Sequence, residues 1–182
     1  MKKRFTLSIF TENIVGILNQ VTIIFTRRQI NIESIVVSES EMDGIHRYTL
    51  VITETEKVVR KVVLQLEKQV DIIKALFHED KDVIYQEIAL FKMPSDVLMK
   101  GGEAEKIVRN HFARIISVEE GFIILEKTGH KEETQKLFNE LKPYGVLEFV
   151  RSGRIAITKP METQLFVHHK IERSSVSDLI TD

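Results

Sequence analysis

Phe5, Leu7 and Ile9 alternate with Thr6 and Ser8, the two-residue period of a half-buried strand. From Gly16 the period changes: Ile17, Leu18, Val21, Ile24 and Phe25 fall on one face of a helix. Asn31 to Ser38 ("NIESIVVS") is rich in β-branched residues and predicts a strand, and Asp43-Gly44 predicts the hairpin turn that returns it as His46 to Thr53. Thr53 and Glu56 have the spacing of a capping box before Val58, Val59, Val62, Val63 and Leu66, a second one-sided helix. Val70 to Phe77 closes the unit as a strand, so the predicted order is βαββαβ.

The second half repeats that order with little identity. Ile84 to Met93 predicts a strand whose Ile88, Leu90 and Phe91 are read as core, and Pro94 ends it. A loop at "KGGE" (100–103) leads to a helical stripe of Ala104, Ile107, Val108 and Phe112. Arg114–Val118, the turn "EEG" and Phe122–Lys127 predict a hairpin. Thr134, Leu137, Phe138 and Leu141 form another stripe that Pro143 stops, followed by extended pieces at 146–150 and 155–157. The chain is therefore expected to be α+β, with two ferredoxin-like βαββαβ domains in tandem. The expected boundaries are 1–79, 80–159 and a polar tail at 160–182, with the charged run "HEDKD" (78–82) between the domains.

Composition narrows the function classes. A formal net charge of -1, with both signs interspersed, leaves no basic excess to neutralise a nucleic-acid backbone. The absence of cysteine excludes thiol catalysis, disulfides and thiolate metal sites, and fits a reducing cytoplasm. The basic start "MKKRF" runs into the first strand pattern without a signal-peptide apolar region, and no run approaches the roughly 18 apolar residues of a membrane span. No GxSxG, HExxH, phosphate loop or dinucleotide fingerprint is present. His46, His78, His111 and His130 are scattered and read as surface or satisfied histidines. His168 and His169 lack further ligands, so no metal site and no catalytic residue is expected.

One stretch carries candidate chemistry, "TENIVGILNQV" (11–21). A strand-to-helix turn presents free backbone N–H groups that suit a carboxylate. Gly16 lets a ligand approach the backbone, and Asn13 offers an amide to an ammonium or a carboxylate. Ile14, Val15, Ile17 and Leu18 can line an apolar wall. Together they suit a small hydrophobic amino acid. An Asx-type turn relieved by glycine accounts for the same residues.

Glu12-Asn13-Ile14-Val15-Gly16-Ile17-Leu18, followed at ungapped spacing by Asn31-Ile32-Glu33-Ser34, resembles the start of the small regulatory subunits of acetolactate (acetohydroxyacid) synthase. "FVRSGRIAITK" (149–159) resembles the end of that family's second domain, and the resemblance spans residues 3 to 159. It implies that the first domain is an ACT domain used for effector binding and dimerisation. It implies a non-catalytic subunit of branched-chain amino acid biosynthesis that activates a catalytic large subunit and confers valine feedback inhibition. Thiamine diphosphate, FAD and Mg are then expected in the large subunit and no cofactor in this chain. In the family, valine binds between the first loop and helix of one chain and the second strand of another. This assigns Asn13, Ile14, Val15, Gly16, Ile17 and Leu18 to one half of the site, and Asn31 and Ile32 to the other. The sequence departs from the family at Val15, where a small residue or proline is usual, and at Gln29-Ile30, where glycine and an aromatic residue are usual. The alternative implied by the same domain is a free-standing amino-acid sensor serving another partner.

Overall fold

The computed structural model describes residues 1–99 and 102–159. The loop residues at 100–101, the expected tail at 160–182 and, with it, His168 and His169 lie outside the described residues. Two compact units are present. One is Met1–Ile84 with the described chain from Ala156; the other is Tyr85–Ile155.

In the first unit β1 (Lys3–Glu12), α1 (Ile17–Thr26), β2 (Ile32–Glu39), β3 (Ile45–Glu54), α2 (Glu56–Leu66) and β4 (Ile72–Glu79) follow in the expected order. The strands form an antiparallel sheet ordered β2-β3-β1-β4. Phe5, Leu7 and Ile9 of β1 and Tyr48, Leu50 and Ile52 of β3 point to one face. There they meet Ile17, Val21, Ile24 and Phe25 of α1 and Val59, Val62, Val63 and Leu66 of α2. The one-sided helices cover this face. The expected half-buried strand is corrected: Thr6, Ser8 and Phe10 on the opposite face of β1 are buried too, so both faces of the strand are shielded from solvent. Each fully buried Leu, Ile or Phe contributes about 1.5–3 kcal/mol. Arg47 of β3 lies over the Phe10 ring and donates from Nη2 to the Ala156 carbonyl at 2.7 Å, which holds the returning chain to this unit.

The second unit contains most of β5 (Val83–Pro94), then α3 (Ser95–Met99), α4 (Glu103–Asn110), β6 (Arg114–Glu119), β7 (Phe122–Gly129), α5 (Lys131–Leu141) and β8 (Glu148–Arg151). Its sheet runs β6-β7-β5-β8, the topology of the first unit, and β9 (Ile155–Thr158) also pairs with β5. Ala89, Phe91, Met93, Ile123 and Leu125 pack on Leu98, Ala104, Val108, Leu137 and Leu141.

Several local expectations are corrected. Pro94 ends β5 as expected, but the five-residue α3 that follows it directly was not expected. Thr53 lies inside β3, so α2 begins from Thr55 and neither threonine caps it with a side chain. Phe91 is core, but Ile88 and Leu90 point to the helix-free face and are exposed, because successive side chains of a strand alternate. Phe112 lies beyond α4, largely exposed, with φ +53°. His78 is not satisfied: its Nε2 is buried without a hydrogen bond.

Candidate functional site: the loop from β1 to α1

The base of the loop is pinned on both sides. Glu12 N–H donates to the Asp71 carbonyl at 3.1 Å, and Asn13 N–H donates to the Gly44 carbonyl at 2.9 Å. Asp71 immediately precedes β4, and Gly44 sits in the β2–β3 hairpin with φ +74°. Gln20 reaches back from α1 to the Asp71 carboxylate, Nε2 to Oδ2 3.3 Å. The loop therefore stands on three neighbouring elements.

Gly16 ends it. At φ +89° and ψ -9° it occupies the left-handed region, which glycine enters without a Cβ penalty. Its carbonyl accepts the first helical hydrogen bond, from Gln20 N–H at 3.2 Å. No side chain caps α1, and its first turn contains no acid. Ile17 N–H makes only a long 3.4 Å bond to the Ile14 carbonyl. The amides of Gly16, Leu18 and Asn19 have no hydrogen-bond partner among the described residues. An α-helix leaves these donors unsatisfied, and its dipole adds positive potential there. A Cβ built on Gly16 would meet nothing within 4 Å, so the approach to the amides is open.

Asn13, Ile14, Val15, Gly16 and Leu18 are exposed around this opening. The Asn13 carboxamide makes no hydrogen bond to the loop, so no Asx turn shapes it. Ile17 departs from its expected role as wall: its side chain is buried in the core, leaving only its backbone beside the opening. Sequence reasoning missed Asp71 and Gln20, whose pairing crosses the chain; Gly44 was visible as the turn glycine.

Asn31 and Ile32 lie elsewhere. Glu12 pairs with Ile45 at one end of the sheet, whereas Ile32 pairs with Ile52, which pairs with Phe5 near the start of β1. At about 3.3 Å per residue, the start of β2 is roughly 20 Å along the sheet from the loop. One chain does not bring the two groups together. β2 is an outer strand of its sheet, so its second edge is free to pair with another chain.

Gln29, in the place where the family has glycine, builds the glycine-type turn nevertheless. It adopts φ +54°, with Gln29 N–H bonded to the Thr26 carbonyl at 3.0 Å and Ile30 N–H to the Phe25 carbonyl at 3.0 Å. These two bonds are the complete Schellman closure of a helix. The entry into Asn31 and β2 is thereby kept.

Among the described residues no group of three or more His, Cys, Asp or Glu is arranged to hold a metal. None of their helices is long and apolar enough to cross a membrane. Two consecutive βαββαβ units, the first with an open glycine loop at an uncapped helix, make this an α+β protein of two ferredoxin-like domains. A family model for the "AHAS small subunit-like ACT domain" matches residues 7–74, and one for the "Small subunit of acetolactate synthase" matches residues 86–160. The acetolactate synthase small subunit of Bacillus subtilis is 33% identical, covering 87% of this chain and 91% of its own. That of Mycolicibacterium smegmatis is 30% identical, covering 85% and 90%. The crystal structure of the Thermotoga maritima small subunit superposes with a TM-score of 0.78 at 27% identity, covering 87% of this chain and 98% of that one. The chain belongs to the acetolactate synthase small subunit family, whose members are regulatory subunits of branched-chain amino acid biosynthesis.

Proposed function

We propose that this chain is the non-catalytic cytoplasmic partner of an acetolactate synthase large subunit, which it activates and makes sensitive to valine or a related branched-chain amino acid. The effector carboxylate binds the free amides at Gly16, Leu18 and Asn19. Its ammonium meets the Asn13 carboxamide oxygen, and its alkyl group lies against Ile14, Val15 and Leu18. Effector binding and dimerisation belong to the first domain, expected at 1–79, whose compact unit runs over Met1–Ile84 with the described chain from Ala156; Tyr85–Ile155 is the unit of the second domain, expected at 80–159. Thiamine diphosphate, FAD and Mg belong to the catalytic partner.

The observation that carries this reading is the placement of the two half-sites at opposite ends of one sheet. Antiparallel pairing of β2 with β2 of a second copy sets the partner's β2 start beside this chain's Glu39. Glu39 pairs with His46, adjacent to Ile45 and Glu12 at the loop end. The partner's Asn31 then reaches the loop end, and each dimer holds two composite sites. Control of the large subunit requires the effector to bind its active and inhibited assemblies unequally. The test is reconstitution. The purified chain alone has no synthase activity; mixed with its cognate large subunit it raises the rate and imposes valine inhibition. Unchanged rate and unchanged valine response on mixing overturn the proposal. Calorimetry with valine, leucine and isoleucine identifies the effector.

A further inference from the structure

β6 is the outer strand of the second unit's sheet. Its sequence is Arg-Ile-Ile-Ser-Val-Glu, and Ile115, Ile116 and Val118 are each about half exposed. An outer strand offers a row of unpaired backbone groups, and proteins usually blunt such a row with proline, inward-pointing charge or a bulge. β6 has no proline and no charge between Arg114 and Glu119; its one irregularity is a bulge, and the charges at its ends are of opposite sign.

A bulge decides which faces its side chains occupy. In a regular strand Arg114 and Glu119 would point to opposite faces, since the period is two. The register with β7 shifts between Ile115 and Ser117, and one extra residue is absorbed there. Arg114 stands opposite Glu126, Ser117 opposite Ile124 and Glu119 opposite Phe122. Ile115 stands opposite Leu125 and Val118 opposite Ile123, on the face that carries the core. The bulge thus puts Arg114 and Glu119 on one face and Ile115 and Val118 on the other. Read antiparallel against itself, the strand matches: arginine faces glutamate, and isoleucine faces valine, each pair on its proper face.

We propose that β6 is a pairing edge for a second copy of this chain. Two β6 strands lie antiparallel, with Arg114 against Glu119 and Ile115 against Val118, and extend the sheet from one chain into the next. Arg114 already forms an ion pair with Glu126 of β7, and Glu119 accepts a hydrogen bond from Ser117 Oγ at 2.6 Å. In the paired state Arg114 bridges two carboxylates, Glu126 of its own chain and Glu119 across the junction. Opposite charges and β-branched pairs placed directly across strands each stabilise pairing.

The first unit is built the same way at its outer strand. β2 has its bulge between Ile32 and Ser34, and β2 and β6 each directly follow a Schellman closure with a non-glycine residue. Asn31-Ile32-Glu33-Ser34 and Arg114-Ile115-Ile116-Ser117 are structural counterparts. The β6 edge is argued from its own residues and does not rest on the effector reading.

The chain contains no cysteine, so introduced thiols are unique. Full-length Ile115→Cys and Val118→Cys chains, one carrying a mass tag, are mixed and oxidised, and disulfide-linked products are mapped by peptide. Directly opposite residues have Cβ atoms close enough for a disulfide. The expected result is a 115–118 heterodimer at least tenfold above the yield from Leu64→Cys, an exposed position on α2. Adding Arg114→Glu to both chains lowers that yield about tenfold, and adding Glu119→Arg as well restores it. Loss of the Glu126 ion pair alone predicts no such rescue. A 115–118 yield no higher than the control, or a charge-swapped pair that fails to recover, overturns the proposal. Valine binding is not part of the readout, so the effector reading stands or falls separately.

Discussion

Gln29 and Phe112 hold the same place in the two halves of the chain. They are the non-glycine residues with positive φ among those described, at 54° and 53°. Each closes a helix with the same pair of bonds. Gln29 and Ile30 bond the carbonyls of Thr26 and Phe25, and Phe112 and Ala113 bond those of Arg109 and Val108. Each is followed at once by an outer strand with a bulge in its first turns of register. The repeat that hydropathy only outlined is thus kept down to individual backbone angles.

Both positions are strained for an L side chain, at a cost of about 1 kcal/mol each. Gln29→Gly and Phe112→Gly should therefore each raise stability by about 0.5–1 kcal/mol, part of the gain being offset by the freer unfolded chain. Phe112 is largely exposed, so its removal forfeits little burial. Gln29→Val should destabilise, because a β-branched residue enters this region with difficulty. Urea denaturation midpoints at constant slope report the differences.

How much of this was legible follows from which interactions are local. The stripes of α1, α2 and α5 show in the sequence because each buries one face with one period. The alternation at Phe5–Ile9 shows the strand and its helix-facing side, but not that Thr6 and Ser8 on the opposite face are buried as well. The phase of β5 does not, since apolar residues occupy both alternations and only pairing shows that Ala89, Phe91 and Met93 face inward. Positive φ at Gln29 runs against residue type; the available signal was the apolar Ile30 after Phe25, the contact that accompanies a Schellman turn. Bulges belong to a pair of strands and leave no mark in one. At the site, Gly16 and the free helix end were visible, but the Asp71 and Gly44 carbonyls that fix the loop are long-range partners. The distance between Asn13 and Asn31 follows only from strand order.

Acid sensitivity should centre on His78. Burial lowers its pKa from the usual 6.5, with Asp82 partly opposing, and Nε2 has no hydrogen-bond partner. The unfolded chain therefore binds the proton more readily than the folded one. The neutral imidazole's full contribution is present above about pH 6.5 and is lost as pH falls from there toward the lowered folded value. Stability measured from pH 8 to pH 5 should decline in that window for the wild type. The decline should be shallower in His78→Gln, which cannot take up the proton; equal slopes in the two proteins refute the assignment.

Gly16→Asp should remove the effector response without unfolding the chain. No atom lies within 4 Å of the new Cβ, and aspartate tolerates left-handed backbone better than most residues, so a stability loss of only about 1 kcal/mol is expected. The carboxylate, however, stands at the free amides where the effector's own carboxylate would bind. Valine affinity should fall by at least about tenfold, a change of about 1.4 kcal/mol. Gly16→Ala serves as the uncharged control and should weaken binding less. Calorimetric affinity for valine equal to wild type in Gly16→Asp would reject this placement.

The proposed composite site makes a sharper prediction, because in that proposal its halves come from different chains. Asn31→His should weaken valine inhibition while leaving activation of the large subunit largely intact, since Asn31 lies on the sheet edge and supports no core contact. Alone, neither the Gly16→Asp nor the Asn31→His dimer has an intact site. When the two proteins are dissociated and reassociated together, half of the dimers by statistics are mixed. In a mixed dimer the loop of the Asn31→His chain meets Asn31 of the Gly16→Asp chain, and one wild-type site re-forms; the other site carries both lesions. Calorimetry on the mixture should then recover wild-type affinity at about one site per four chains. A site formed within a single chain cannot complement, because every chain in the mixture carries one lesion. Recovery of binding on mixing therefore distinguishes β2-to-β2 assembly from any arrangement in which Asn31 serves its own loop.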